Sequence, residues 1–426
     1  MKKIKFFPII ALLAVFFTAC SSDDDNNGPG TDDDGGDDYI VEKSGILTED
    51  ETWTADNIYL LDGKVVVDDG VTLTIEPGTI IKGMPGQEAQ ASALVVDQGG
   101  KLMAEGTAEN PIIFTANSDN IQPGELYGSN LDQNDTGLWG GVIVLGKAPI
   151  SVAGDNQTFQ IEGIPATASY GQYGGDDPED NSGSLKYISI RHGGITIGQD
   201  NEINGLTLGG VGRGTTIENI EVVANQDDGI EWFGGTVNVK NALIWAQGDD
   251  GFDTDQGWSG TMDNGLVIMG AESGTALEMD GPEGTTKHPD PDQQHTLKNI
   301  TLVGAGTSSD YADLRDGLLV SLENVYAYGF GAGASVKING EDSRDELADD
   351  NIVFSNWEIV LPEDVTIADI IVGKRPDPED PDNELDMEIA SEKFTDNAQG
   401  VETGTVGADT SVFSSWTYAA AMEVAF

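Results

Sequence analysis

Over most of this chain apolar and polar residues alternate in short runs broken by turn residues, and the 3.6-residue period of a helix is almost absent. "VTLTIEPGTIIKG" (Val71 to Gly83) alternates, turns at Pro77-Gly78 and alternates again. "ALVVDQGGKLMAEGTAENPIIFTA" (Ala93 to Ala116) splits into three short strands with tight turns between them. The alternation then becomes a repeat: "IENIEVVANQDDGIEWFGGT" and "VKNALIWAQGDDGFDTDQGW" share one pattern, and "MDNGLVIMGAESGTALEMDGPEG" is a looser third copy. Asn219, Asn241 and Asn264 fall at steps of 22 and 23 residues, and Ile230, Phe252 and Leu277 at steps of 22 and 25. A unit of that length cannot bury its apolar face alone and must stack on its neighbours. Three strands per unit predict an all-β fold, a single-stranded right-handed parallel β-helix (solenoid) with capped ends.

The pattern sets the expected boundaries. Residues 44–360 form the β-helix and 361–426 a C-terminal capping region, with "SSWTYAAAMEVAF" as a short terminal helix over the open end, since an uncapped coil is an unpaired sheet edge. Gly/Asp/Asn-rich stretches between Asn117 and Gly137, and between Gly154 and Gly183, read as loops over the stack. "PEGTTKHPDPDQQH" (Pro282 to His295) is an insertion loop whose His288 and His295, with Asp290 and Asp292, are a peripheral metal-site candidate. Asn219, Asn241, Asn264, Asn299 and Asn324 are expected to stack as an amide ladder at a tight corner, a structural motif.

Charge narrows the partners. With 75 acidic against 20 basic residues the net charge is −55, a field that repels nucleic acid and anionic head groups. Cations or basic surfaces are the natural counterparts, and a surface adapted for solubility is the alternative. There is one cysteine, Cys20, so no intrachain disulfide forms. It follows Lys2, Lys3 and Lys5, an apolar run from Phe6 to Phe17, and the small pair Thr18-Ala19, a run too short to span a bilayer comfortably. Residues 1–20 therefore look like a bacterial lipoprotein signal peptide with Cys20 as the lipidated residue. Residues 21–43, opening "SSDDDNNGPGTDDDGGDD", are expected to be a disordered acidic tether.

The repeat also stacks acids. Asp227-Asp228 falls over Asp249-Asp250 at a turn, and with Ile230, Phe252 and Leu277 facing inward, Glu231, Asp253 and Glu278 face outward. Asp255 and Asp280 lie two positions on. Thr207 falls above this column, and Leu319 and Lys337 below it. Carboxylates stacked about 4.8 Å apart repel and either take up protons or bind a cation. The expected metal ligands are Asp228, Glu231, Asp250, Asp253 and Glu278, and the expected ion is Ca²⁺, which accepts several oxygens in flexible geometry. For the Asp pairs, turn chemistry is an equal reading, since Asp caps its own backbone there. A solvent-facing strand column has no such backbone need. Asp227, Asp249, Asp255, Asp280 and Trp258 are the expected ligand-binding residues, with Tyr170, Tyr173 and Trp258 as candidate sugar platforms. Trp232 and Trp245 fall on inward positions, and His192 reads as a polar corner residue.

"VTLTIEPGTIIKG", "ALVVDQGGKLMAEGTAENPIIFTA" and "GLWGGVIVLGKAPIS", with an echo in "VFSSWTYAAAMEVAF", resemble uncharacterised right-handed β-helix surface lipoproteins of Bacteroidota. Ser22 and the following aspartates resemble the acidic export tag of such lipoproteins. The resemblance implies lipid anchoring in the outer membrane, facing the cell exterior. More distantly, the coils resemble pectate and alginate lyases and polygalacturonases, and "QGDDGFD" is similar to the paired-Asp segment of the last, although the chain lacks their "GHG" and "RIK". Together these lead to a cell-surface protein whose acidic face binds calcium and a glycan or protein partner, an extracellular polysaccharide or a surface protein. A polysaccharide lyase or glycoside hydrolase, and an accessory lipoprotein of an outer-membrane transporter, are the alternatives.

Overall fold

The computed structural model describes residues 39–87, 90–196, 203–285, 295–306, 309–374, 387 and 391–426. Among them, 24 strands join one sheet that winds as a right-handed parallel β-helix. Each repeat contributes one long bent strand, such as Thr216–Val223, and one short strand, such as Ile230–Phe233. The bend falls at the asparagine. Asn219, Asn241, Asn264, Asn299, Asn324 and Asn356 all have positive φ, a left-handed geometry that asparagine tolerates. Glu218 and Ile220 on either side pair with Lys240 and Ala242 of the next coil. The bend therefore makes two faces from one strand, and the short strand makes the third.

The interior follows from the alternation. Ile217, Ile220, Ile230, Val239, Ala242, Phe252 and Leu277 are buried in one continuous core, with Trp232 among them. The asparagine ladder forms as expected, Asn241 Nδ2 donating to Asn219 Oδ1 and Asn264 Nδ2 to Asn241 Oδ1, each at 2.9 Å. It restarts below, Asn324 Nδ2 donating to Asn299 Oδ1 at 3.1 Å. Between the two runs Asn299 turns to Asp263 Oδ1 at 2.7 Å, while Asn264 Oδ1 accepts the Asp409 N–H at 2.6 Å.

Several expectations change. The expected tether, 21–43, overlaps a strand: Ile40–Leu47 pairs in parallel with Ile58–Val67, because its apolar residues find a partner one coil down. Coils also continue past Val360, where Ile371–Lys374 pairs with Val336–Asn339 and Ala398–Gly400 with Ile352–Ile359. The C-terminal segment lies along the side of the stack, over the second face. Backbone N–H groups of Thr405, Ala408, Asp409 and Tyr418 donate to Glu358, Thr301, Asn264 and Glu221, tying coils far apart in sequence. Beneath it Leu243, Trp245 and Leu266 meet Phe413, Trp416 and Tyr418. Trp245 is thus buried outside the coil, under this segment. The helix Tyr418–Ala421 supplies part of that cover, so the terminal residues shield a lateral apolar strip where an end cap was expected.

The first face carries a column of alternating charge: Glu105, Lys186, Glu218, Lys240, Asp263, Lys298 and Glu323 stand on successive coils. Ion pairs close between Lys186 and Glu105 at 3.3 Å and between Lys298 and Asp263 at 3.6 Å. Among the described residues no helix is long and apolar enough to cross a membrane. The signal peptide, Cys20, most of the tether, His288, Asp290 and Asp292 lie outside the described residues.

Candidate functional site

The third face positions the acids. In its short strands Thr207, Glu231, Asp253, Glu278, Asp313 and Lys337 pair in register on successive coils. The expected column is therefore present from Thr207 to Glu278, with Lys337 where it was placed. Leu319 is not in it: the strand Ala312–Arg315 intervenes, and Asp313 takes the place below Glu278. That strand was missed because "ADLR" puts a charge at two of its four positions and follows an insertion that breaks the repeat length.

The carboxylates point away from the coil interior, as expected, but they do not face solvent. Glu231 and Asp253 are each only 8% exposed. The segment from Ile150 to Tyr173 folds back over the upper third face, packing Ile161, Ile164 and Tyr173 on Val95, Ile143 and Phe233. Below this apolar cover a polar cleft of about 690 Å³ opens, lined by Glu162, Asp227, Asp228, Glu231, Asp249, Glu278 and Arg315 among others.

At the adjoining corner, turn chemistry and site chemistry coincide. Asn204 Oδ1 accepts the Asp228 N–H at 3.3 Å, Asp228 Oδ1 the Asp250 N–H at 2.9 Å, and Asp250 Oδ1 the Thr275 N–H at 2.6 Å. Asp310 Oδ1 does the same for Ser335 at 2.8 Å. Each coil's side chain thus holds the next coil's turn. Glu231 accepts from the Asn204 amide, but Asp253 Oδ1 is buried with no hydrogen-bond partner.

Burial dominates the electrostatics. It raises the carboxyls of Asp228, Glu231 and Asp253 well above their ordinary range, with like charges adding: Asp227 and Asp250 on Asp228, Asp253 on Glu231, and Asp228 and Glu278 on Asp253. Burial followed by the Asp250 charge pushes Glu278 up to about 9, against the pull of Arg315. Asp250 is pushed up to about 6 by burial and Asp249, and Asp255 is raised by burial and Asp280. Oxygens of Asp227, Asp228 and Asp249 lie within 4.8 Å of one another, as do those of Asp228, Glu231 and Asp253, and those of Asp253, Glu278 and Asp280. These sets include every expected metal ligand except Asp250.

Arg315, which the sequence did not single out, clamps the lower end. Its Nε donates to Asp280 at 2.5 Å, and Nη2 reaches Glu278 at 2.5 Å and Asp280 at 2.8 Å. Lys337 pairs with Asp310 at 2.9 Å and Asp313 at 3.7 Å. Neither base is left unpaired.

The aromatic candidates do not line the cleft. Trp258 is 2% exposed, stacked on Trp232 at 4.8 Å and donating its indole N–H to Val237 O. Its Gly-rich flanks suggested a loop, but the turn folds the indole into the coil. Tyr173 is also buried, its hydroxyl on Gln256 Oε1, and Tyr170 packs against the same apolar cover. His295, expected in the insertion loop, opens the strand His295–Val303 and is buried beside Trp258, burial pushing its imidazole down to about 3. His192 is a buried corner residue with positive φ, its Nδ1 at 2.7 Å from Asp135 O.

A family model described as a pectate-lyase-like beta helix domain matches residues 45–418. That match spans most of the chain, and the chain belongs to this family. No curated protein and no solved structure matches it.

Proposed function

We propose that this member of the pectate-lyase-like β-helix family uses its acidic cleft to bind Ca²⁺ and, with the ion in place, an extracellular polysaccharide or surface protein. One observation carries the reading: Asp228, Glu231 and Asp253 bring buried oxygens within 4.8 Å of one another, and Asp253 Oδ1 has no partner. Three carboxylates confined this way must be protonated or share a cation. Oxygens at that separation fit one Ca²⁺, whose ligands stand about 2.3 to 2.6 Å from the ion. Calorimetric titration of the full chain should show Ca²⁺ binding that Glu231→Gln with Asp253→Asn abolishes. Equal Ca²⁺ heats in wild type and double variant would end this reading.

A hydrolase is the second reading, favoured by Glu278. Burial and the Asp250 charge push the Glu278 carboxyl up, against the pull of Arg315, toward the range of a general acid beside a second carboxylate. Release of reducing ends from a polysaccharide, lost in Glu278→Gln, would support it. A lyase needs a base free to take a proton, and Arg315 and Lys337 are both engaged in ion pairs.

The address is part of the proposal. The basic start, apolar run and Cys20 support a lipid anchor in the outer membrane, with the acidic stretch as its tether. Cys20→Ser should release the protein from membranes, since the acyl chains supply the anchoring free energy. Unchanged retention of that variant would overturn the anchor.

A further inference from the structure

Two of the carboxylate groups on the third face, at the cleft, are built alike and share one residue. Asp228, Glu231 and Asp253 form the upper group, and Asp253, Glu278 and Asp280 the lower, each with oxygens within 4.8 Å of one another. They are filled differently. In the lower group the Arg315 guanidinium already bridges two of the three carboxylates, Nε and Nη2 reaching both oxygens of Asp280 and Nη2 also reaching Glu278. The upper group has no base at ion-pair distance among the described residues, and Asp253, which the two groups share, leaves Oδ1 buried and without a hydrogen-bond partner. Arg315 arrives by register: it stands directly below Asp280 on the neighbouring strand, with Asn339 below it in turn. The planar fork suits paired carboxylates and carries a charge that does not titrate in the working range.

We propose that Arg315 is a built-in cation that fills the lower of two cation positions, so that the cleft takes one divalent ion, in the upper group, where the carboxylates alone would take two. This deepens the cation-binding reading and rests on it for the upper ion only. Arg315 then sets how many ions the cleft holds. It also keeps the lower carboxylates paired when no ion is bound, leaving the upper group as the part of the cleft that responds to Ca²⁺.

The test is the stoichiometry of Ca²⁺ binding by calorimetry on the full chain, for wild type, Arg315→Lys and Arg315→Gln. Wild type and Arg315→Lys, which keeps the charge, should each take one ion. Arg315→Gln should take two, and adding Glu231→Gln to it should return the count to one. Arg315→Gln could fold poorly without ions, but Ca²⁺ should restore its fold by supplying the missing charge. Failure to fold in saturating Ca²⁺ overturns the proposal. So does a count in Arg315→Gln no higher than in wild type. The two claims separate: no ion in wild type with one in Arg315→Gln removes the upper site and keeps the role of Arg315. One ion in both proteins keeps the upper site and removes that role.

Discussion

The first and third faces stack charged side chains on the same coils at the same spacing, and they do so in opposite ways. On the first face every Lys between Lys186 and Lys298 stands between two acids. On the third, Glu231, Asp253, Glu278 and Asp313 follow one another with no base until Lys337. Two like charges about 4.8 Å apart cost about 3 kcal/mol at an effective dielectric near 20. The first face shows how this fold neutralises a column when stacking is all it needs. With only 20 basic residues to place, the chain spends three of them there; on the third face Arg315 and Lys337 pair the lower acids, and Glu231 and Asp253 above them have no ion pair among the described residues. The proposed Ca²⁺ site rests on these acids, since strained or unpaired groups gather at functional sites.

The comparison breaks first on Ca²⁺. Thermal stability should rise with the ion by about RT ln(1 + [L]/Kd), or ~2.7 kcal/mol at a hundredfold excess over Kd. Mg²⁺ at equal ionic strength should give only the screening part, since it holds its water more tightly. Glu231→Gln with Asp253→Asn should remove the Ca²⁺-specific part, and Lys240→Gln on the first face should leave it intact. Equal shifts with both ions would make the two columns alike after all.

The second effect is on pH. Without divalent ions, Glu278 rises from 4.5 to about 9 on folding, so the folded state binds its proton more tightly than the unfolded chain. Its contribution is complete below 4.5 and is lost as pH climbs to about 9. Asp228, Glu231 and Asp253 shift in the same direction. Denaturant melts in chelator should therefore show stability falling from pH 5 toward pH 9, a fall that saturating Ca²⁺ flattens. A flat apo profile would mean the acids are not confined together.

Smaller effects belong to the first face. Lys240→Glu would set three acids in a row from Glu218 to Asp263 and should cost about 1 kcal/mol, much of it screened in high salt. Lys240→Gln should cost a few tenths of a kcal/mol, about the value of an exposed pair. A loss from Lys240→Gln as large as that from Lys240→Glu would show that the lysine acts through packing along its stem.

The repeat was legible because strand pairing demands it. Parallel coils stack in register, so the 22- and 23-residue steps of Asn219, Asn241 and Asn264 had to become a straight ladder. The same register places Glu231 over Asp253 over Glu278 from the sequence alone. Counting failed after Asp280, where an insertion breaks the step, and Asp313 and Arg315 went unseen while Leu319 was put in their place. Trp258 was misplaced for a local reason: a Gly-rich flank marks a turn, but does not say on which side of it a side chain will pack.

The sequence by itself determined the solenoid, its asparagine corner and the acidic column, since each is a consequence of period and alternation. Tertiary structure decided what those residues meet. The segment from Ile150 to Tyr173 narrows the third face into a cleft, and the C-terminal residues cover the second face. Arg315 reaches Asp280 and Glu278 only through strand pairing across the insertion. Periodicity fixes which way a side chain points, through the geometry of its own strand. Burial, and with it the raised carboxyls and the paired base, depends on chain segments that return from far along the sequence and carry no period of their own.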